Sequence, residues 1–290
     1  MDPSNASRTA VLVCQGRAVA DGRIDVGRFD DPTAIVLLTD DERAQVEVAR
    51  SGIVPQGFGE RMNFERLRAV SEVMVPRTLA IDESATARLG PQLVILGAGL
   101  DGRAWRLKEL ADVDVFEVDH PASQAEKRAR AARLELTAKS ITFVPVDFSR
   151  GSLADALSAA GHDRSVPTTW IWEGVIPYLT RDEVASSMRA IAELSAPDSR
   201  LVTSYQSRSL LSTVGRKVMG AVAKLSGSDN PMASEPWRST WTPQTIAELL
   251  APHGFRVMSD EDLTAVIDRM SLTVGTRRSS NDGRIATADN

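Results

Sequence analysis

Three acids and one glycine turn are the residues of this chain best placed to do chemistry. Asp119, Asp147 and Glu173 each follow directly on a short, largely apolar segment, and Gly97-Ala98-Gly99-Leu100-Asp101-Gly102 follows another, Leu93-Val94-Ile95-Leu96. Short apolar runs of this kind fit strands buried on both faces of a parallel sheet. Ligands of open α/β sheets bind beyond the carboxyl ends of the strands. The pattern therefore puts the glycine turn and the three acids on one rim. Glycine permits the tight turn and a close approach of backbone to ligand. The helical pattern that begins at Ala104-Trp105-Arg106-Leu107 presents its first N–H groups to the same place. This is the nucleotide-cofactor corner of a doubly wound α/β fold.

Two cofactors compete for it. Gly97, Gly99 and Gly102 satisfy G-x-G-x-x-G, and Asp119 stands where a dinucleotide site has its ribose-binding acid, about 20 residues on. Asp101 argues the other way, because a carboxylate beside the helix N-terminus repels a pyrophosphate. S-adenosylmethionine (SAM) has no phosphate and carries a sulfonium and an ammonium, so acids around it are favourable. The residues favour SAM. Asp119 is then suited to accept from both ribose hydroxyls, Asp147 from the adenine amino group, and Glu173 lies near the cationic end. An NAD(P)-dependent oxidoreductase, the alternative, needs a Tyr/Lys pair or a His base near the nicotinamide, and no such pair stands out.

The elements that must hold these residues alternate regularly from Gln92 onward. Strands are expected at 92–97, 113–118, 141–146, 168–172 and 200–205, with two more at 255–258 and 270–275. Pro145 is awkward in a central strand. Pro121 suits a first helical turn. Thr180 with Glu183 predicts a capping box for a helix from about Arg181 to Leu194, and Thr242-Pro243 opens another through Leu250. His253, before Gly254, reads as a C-terminal cap rather than a base. Residues 1–90 lack strand patterns and read as a helical cap, most of it scaffold packing. Ser7 or Thr9 caps its first helix, Asp21-Gly22-Arg23 ends it, Asp31-Pro32 starts a turn, and Val75-Pro76-Arg77 marks a break or kink in a later helix. Residues 206–240, rich in Ser, Gly and Met, interrupt the rhythm as an inserted lid. Residues 279–290 are polar and expected to be disordered.

Composition narrows the partners. The chain of 290 residues carries a net charge of −5 and no basic tract, which argues against a nucleic-acid backbone. Cys14 is the single cysteine, and His120, His162 and His253 lie far apart without ligand spacing, so neither a disulfide nor a metal is expected. There is no apolar run of membrane-spanning length and no signal pattern at Met1-Asp2-Pro3-Ser4-Asn5. The default is a cytoplasmic protein without a membrane partner.

Several segments together resemble the leucine carboxyl methyltransferase family, and more closely its bacterial branch of SAM-dependent O-methyltransferases. They are Ile95-Leu96-Gly97-Ala98-Gly99-Leu100-Asp101, Phe116-Glu117-Val118-Asp119-His120-Pro121, Val146-Asp147-Phe148 and Glu173-Gly174-Val175-Ile176-Pro177-Tyr178-Leu179. Upstream, Arg77-Thr78 with Asp82, Thr9-Ala10 and Asp31-Pro32 fit the same pattern. Gly102 departs from the threonine usual there. The resemblance implies a class I SAM methyltransferase fold, Rossmann-like, with a mostly parallel seven-stranded sheet. It also implies that Arg77 pairs with the methionine carboxylate of SAM and that Gly97, with Ala98, Gly99 and Asp101, packs under the cofactor. Asp119 with His120 then holds the ribose, Asp147 with Phe148 the adenine, and Glu173 the methionine part. Arg8 is a second candidate for the cofactor carboxylate.

Beyond Tyr205 the resemblance is loose. Tyr178 and Tyr205 are candidates for positioning the acceptor. Trp237, Trp241 and Met232 belong either to an acceptor pocket or to plain core. The expected activity is methyl transfer from SAM, leaving S-adenosylhomocysteine (SAH), to the oxygen of a small molecule, with a carboxylate favoured because it needs no base. A catalytically silent SAM-binding protein shares the same features.

Overall fold

A computed structural model describes residues 7–147, 151–207, 237–275 and 283–290. Four helices precede the sheet: α1 Arg8–Ala20, α2 Pro32–Val36, α3 Asp40–Ser51 and α4 Phe58–Thr86. Ser7 caps α1 by accepting from Ala10 N–H at 3.2 Å. Asp31 caps α2, with Pro32 in its first turn.

α4 corrects one expectation. Of the break or kink expected at Pro76, the break does not occur: the helix runs on through it. An internal proline removes one hydrogen bond and costs about 3 kcal/mol. Here Phe64, Leu67, Met74, Val75 and Ile81 are buried on both sides of it, and packing of that extent outweighs the lost bond.

Strands β1 Gln92–Leu96, β2 Asp114–Asp119, β3 Ser140–Pro145, β4 Thr168–Trp172 and β5 Arg200–Gln206 pair in parallel. Between and after them run α5 Arg103–Arg106, α6 Pro121–Ala131, α7 Leu153–Ala159, α8 Arg181–Glu193 and α9 Pro243–Leu250. β6 Arg256–Asp262, α10 Leu263–Met270 and β7 Gly283–Asp289 complete the described chain. The seven-stranded sheet has the order β3-β2-β1-β4-β5-β7-β6, with β7 antiparallel to both neighbours. Pro145 ends β3 at the sheet edge, where a missing N–H is tolerated. The capping box on α8 forms: Thr180 Oγ1 accepts from Glu183 N–H at 3.2 Å, and Glu183 Oε2 from Thr180 N–H at 2.6 Å.

Two further expectations fail at the C-terminal end. Residues 270–275 are not a strand: α10 ends at Met270, and Ser271 turns the chain in the left-handed region at φ +50°. The expected disordered tail instead supplies β7, inserted between β5 and β6 with Ile285, Ala286, Thr287 and Ala288 buried. Arg284 and Asp289, the charged residues of that stretch, pair with Asp260 at 2.8 Å and Arg200 at 2.7 Å. Of the expected lid, residues 208–236, Met232 among them, lie outside the described residues.

Side chains alternate across the sheet and divide the core. Leu93, Ile95, Val115, Ile171, Val202 and Ile285 face the N-terminal helices and α10. Val94, Leu96, Phe116, Trp170, Leu201 and Tyr205 face α7, α8 and α9. Each strand of the centre therefore buries both of its faces, as a parallel sheet covered by helices requires.

Candidate active site

The carboxyl ends of β1 to β5 and the cap close around one cavity of about 780 Å³, within the range of small-molecule and cofactor sites. The glycine loop forms its floor. Gly97 and Ala98 donate to Val118 O at 2.7 and 3.1 Å, tying the loop to β2. Gly97 lies at φ +64° and Gly99 at φ +46°, where a side chain is strained. A Cβ at Gly97 would meet Val175 Cγ2 at 2.3 Å, and one at Gly99 would meet Ala10 Cβ at 2.9 Å. The first turn of α1 therefore rests directly on the loop.

Asp119 ends β2 with both oxygens in use. Oδ2 accepts from Gly99 N–H at 2.5 Å and Oδ1 from His120 N–H at 2.6 Å. Burial raises its pKa, and these two N–H groups partly offset the rise. Each carboxylate oxygen keeps a second lone pair, enough for a diol. His120 Nδ1 accepts from Ala122 N–H at 3.3 Å and caps α6, so its ring serves the helix rather than acting as a base.

Asp101 lines the cavity, but its charge is answered inside the fold. It accepts from Arg103 N–H at 2.7 Å and pairs with the Arg103 guanidinium. Burial opposes its ionisation, yet Arg103, Lys127 and Arg17 hold its carboxyl down at about 2. The repulsion that argued against a pyrophosphate at this loop is therefore largely cancelled.

Glu173, at the end of β4, sits between two arginines: Arg77 Nε at 2.8 Å from Oε1 and Arg103 Nη2 at 2.9 Å from Oε2. Burial works against its charge, and Arg103 and Arg77 overcome that to lower its pKa. Glu173 meets the Arg77 guanidinium at Nε as an ion contact without hydrogen-bond geometry. The Nη pair at the other end is the fork that matches a carboxylate bidentately.

The structure gathers Arg77, Gly97, Ala98, Gly99, Asp101, Asp119, His120, Asp147, Glu173, Tyr178 and Trp237 on the wall of this cavity. It separates others from it. Tyr205 is not on that wall: its hydroxyl donates to Asp260 Oδ2 at 2.6 Å, and burial and that carboxylate push its pKa up. Trp241 is buried on the α8–α9 side, with its Nε1 donating to Ser239 Oγ at 3.0 Å and Arg181 stacked over its ring. Trp241 is thus a core position and not an acceptor-binding one, whereas Tyr205 lines a smaller cavity next to the main one, together with Arg77, Gly174 and Pro177. Arg8 is exposed and off the wall. Phe148 and Met232 lie outside the described residues.

Beyond Arg77, sequence reasoning missed what the cap contributes to the wall. Thr9, Leu12 and Val13 of α1 and Val70 and Met74 of α4 line the cavity, so these helices are wall and not only scaffold. Thr9-Ala10, already part of the family pattern, was the available signal. Among the described residues, no group of three or more His, Cys, Asp or Glu is arranged to hold a metal ion, and no helix is long and apolar enough to cross a membrane.

The sheet order, the glycine turn and the acid-tipped strands define a Rossmann-like fold of the class I methyltransferase type. Two solved structures share it: magnesium protoporphyrin IX methyltransferase of Synechocystis PCC 6803, with bound SAH (TM-score 0.51, 17% identity, 87% of this chain and 95% of that one), and a candidate exported protein of Bordetella parapertussis (TM-score 0.56, 17% identity, 99% and 97%). The sequence is more specific. The profile of the family named leucine carboxyl methyltransferase matches residues 10–192. Candidate SAM-dependent methyltransferases of Streptomyces coelicolor (35% identical over 247 residues, 82% of each chain) and Frankia alni (32% over 243 residues, 82% of each) are similar over most of their length. The chain belongs to the leucine carboxyl methyltransferase family, and with it to the SAM-dependent methyltransferases.

Proposed function

We propose that this protein transfers the methyl group of SAM to an oxygen of a small acceptor, and that the acceptor group is a carboxylate. Family membership supports SAM as the cofactor. So does the wall: glycines at positive φ, a strand-end acid with lone pairs to spare, and an arginine fork beside an ionised glutamate. Asp119 would hold the ribose hydroxyls, Asp147 the adenine amino group, Arg77 the methionine carboxylate and Glu173 the ammonium. SAM when bound supplies an electrophilic methyl on its sulfonium. The chain supplies orientation and exclusion of water, the main contributions to a displacement of this kind.

One observation supports the carboxylate assignment: His120, Glu173 and Glu183 on the wall are already engaged, and Asp119 and Asp147 are assigned to the cofactor. His120 caps α6, Glu173 lies between two arginines, and Glu183 pairs with Arg238 at 3.0 Å. A carboxylate needs no base, since its ordinary pKa of about 4 leaves it ionised at neutral pH, whereas a phenol near 10 needs one. Leu12, Val13, Val70 and Met74 on the cap side of the cavity suit an acceptor with an apolar body. The test is incubation of the protein with methyl-labelled SAM and a panel of small apolar carboxylic acids, followed by mild alkali. A methyl ester releases its label as methanol. A labelled product that survives alkali sinks the carboxylate assignment.

A further inference from the structure

Arg103 is 3% exposed, is absent from the cavity wall, and spends one guanidinium nitrogen on each of three acids. Nε donates to Asp82 Oδ1 on α4 at 2.6 Å, Nη1 pairs with Asp101 of the glycine loop, and Nη2 lies 2.9 Å from Glu173 Oε2 at the end of β4. Asp82 is also bound by Arg106 at 2.6 Å. Behind it Asp31 accepts from Arg17 Nε at 2.7 Å, and Arg17 Nη2 donates to Leu100 O at 2.6 Å. Cap, loop and sheet are thus locked by charges of alternating sign with Arg103 at the junction.

We propose that Arg103 is a positioning residue that holds Glu173 as a fixed anion on the cavity wall and thereby releases Arg77 to engage the ligand. The inference rests on the reading of this cavity as a SAM site. A buried carboxylate without a partner takes up a proton. Glu173 has two arginine partners of different standing. Arg77 lines the cavity and is the one a ligand carboxylate can draw away. Arg103 is out of reach of the ligand and already committed, so it is the constant partner. A lysine cannot replace it fully, because a single ammonium does not present three nitrogens in a plane to three separate acids.

The experiment is calorimetric titration with SAM and with SAH between about pH 5.5 and 8.5, on wild type, Arg103→Gln, Arg103→Lys, Glu173→Gln and the double variant Arg103→Gln/Glu173→Gln. Each is first checked for a cooperative melt. The charged groups facing Glu173 are Arg77 of α4, Arg103 of α5, Asp101 of the loop and Arg17 of α1. Removing Arg103 raises the pKa of Glu173, so Arg103→Gln should bind about tenfold more weakly at neutral pH and lose further affinity as the pH falls, a limb absent from wild type. Arg103→Lys restores the charge and should remove most of that acid limb while affinity stays below wild type. The double variant should bind no worse than Glu173→Gln and show no acid limb. Affinity of Arg103→Gln within about twofold of wild type with an unchanged pH profile overturns the proposal, as does an acid limb that persists in the double variant. Should Arg103→Gln not fold, Arg103→Lys with and without Glu173→Gln decides by the same non-additivity. Failure of wild type to bind either compound removes the SAM reading and this proposal together, whereas wild-type binding with indifferent Arg103 variants removes this proposal alone.

Discussion

Asp119 shows how a single side chain can serve fold and ligand at once. Its two oxygens hold the glycine loop and the start of α6 through Gly99 and His120 N–H groups, each keeps a second lone pair, and Asp119 lines the cavity. Asp119→Ala should weaken SAH binding by about 1–3 kcal/mol, the range for lost hydrogen bonds to a charged acceptor. It should also lower stability by about 1 kcal/mol or more, since two buried N–H groups lose their partner. Calorimetry and urea unfolding on the same preparation separate the two effects. Wild-type affinity in a folded variant would place Asp119 outside the site.

At the level of elements, α2 packs tightly against the glycine loop at Gly102. Gly102 stands where threonine is usual, and a Cβ there would meet Thr33 Oγ1 at 1.9 Å. That hydroxyl is itself held by Asp31 Oδ1 at 2.5 Å. The backbone at Gly102 has φ −111°, which any residue adopts, so the constraint is steric alone. Gly102→Ala should cost about 1–3 kcal/mol, as overpacking does. Adding Thr33→Ala removes the closest atom and should recover part of it. Denaturant midpoints of the single and double variants test this, and a Gly102→Ala variant as stable as wild type would show that α2 yields freely.

For the molecule as a whole, the last strand closes the sheet. β7 pairs with β5 from Arg200↔Asp289 to Gln206↔Gly283 and with β6 on its other edge. Asp289 is held by Arg200 and by Arg88 at 3.0 Å. A chain ended at residue 278 would expose the edge of β5, leave β6 without its partner strand and uncover part of the apolar face of α10. We expect it to lack a cooperative thermal transition and to aggregate. Circular dichroism and a melt of the truncated chain check this; a wild-type melting temperature would mean that β7 contributes nothing to closure.

What the sequence determined by itself was local. The apolar strands of the centre, the acids that end them, and the caps at Ser7, Thr180 and Thr242 were all legible, because strand period and helix capping depend on residues within a few positions of one another. The gathering of Asp119, Asp147 and Glu173 on one rim was legible too, since parallel strands must present their carboxyl ends together. Tertiary structure decided the rest. β7 is too polar to announce itself, and its partners on β5 lie about 80 residues earlier, beyond any local pattern. α4 continues through Pro76 because of what packs on it. The period of β5 put Leu201 and Tyr205 on one face and Val202 on the other, but only the pairing of β7 and β6 beside β5 brought Asp260 within reach of the Tyr205 hydroxyl. The charge of Asp101 looked like an invitation to a cation until Arg103 was seen to answer it. Burial makes an unpaired charge expensive, so Asp31 found Arg17, Glu117 found Lys127 and Glu173 found Arg77 and Arg103, each from another element, and those pairings exist only once the chain is folded.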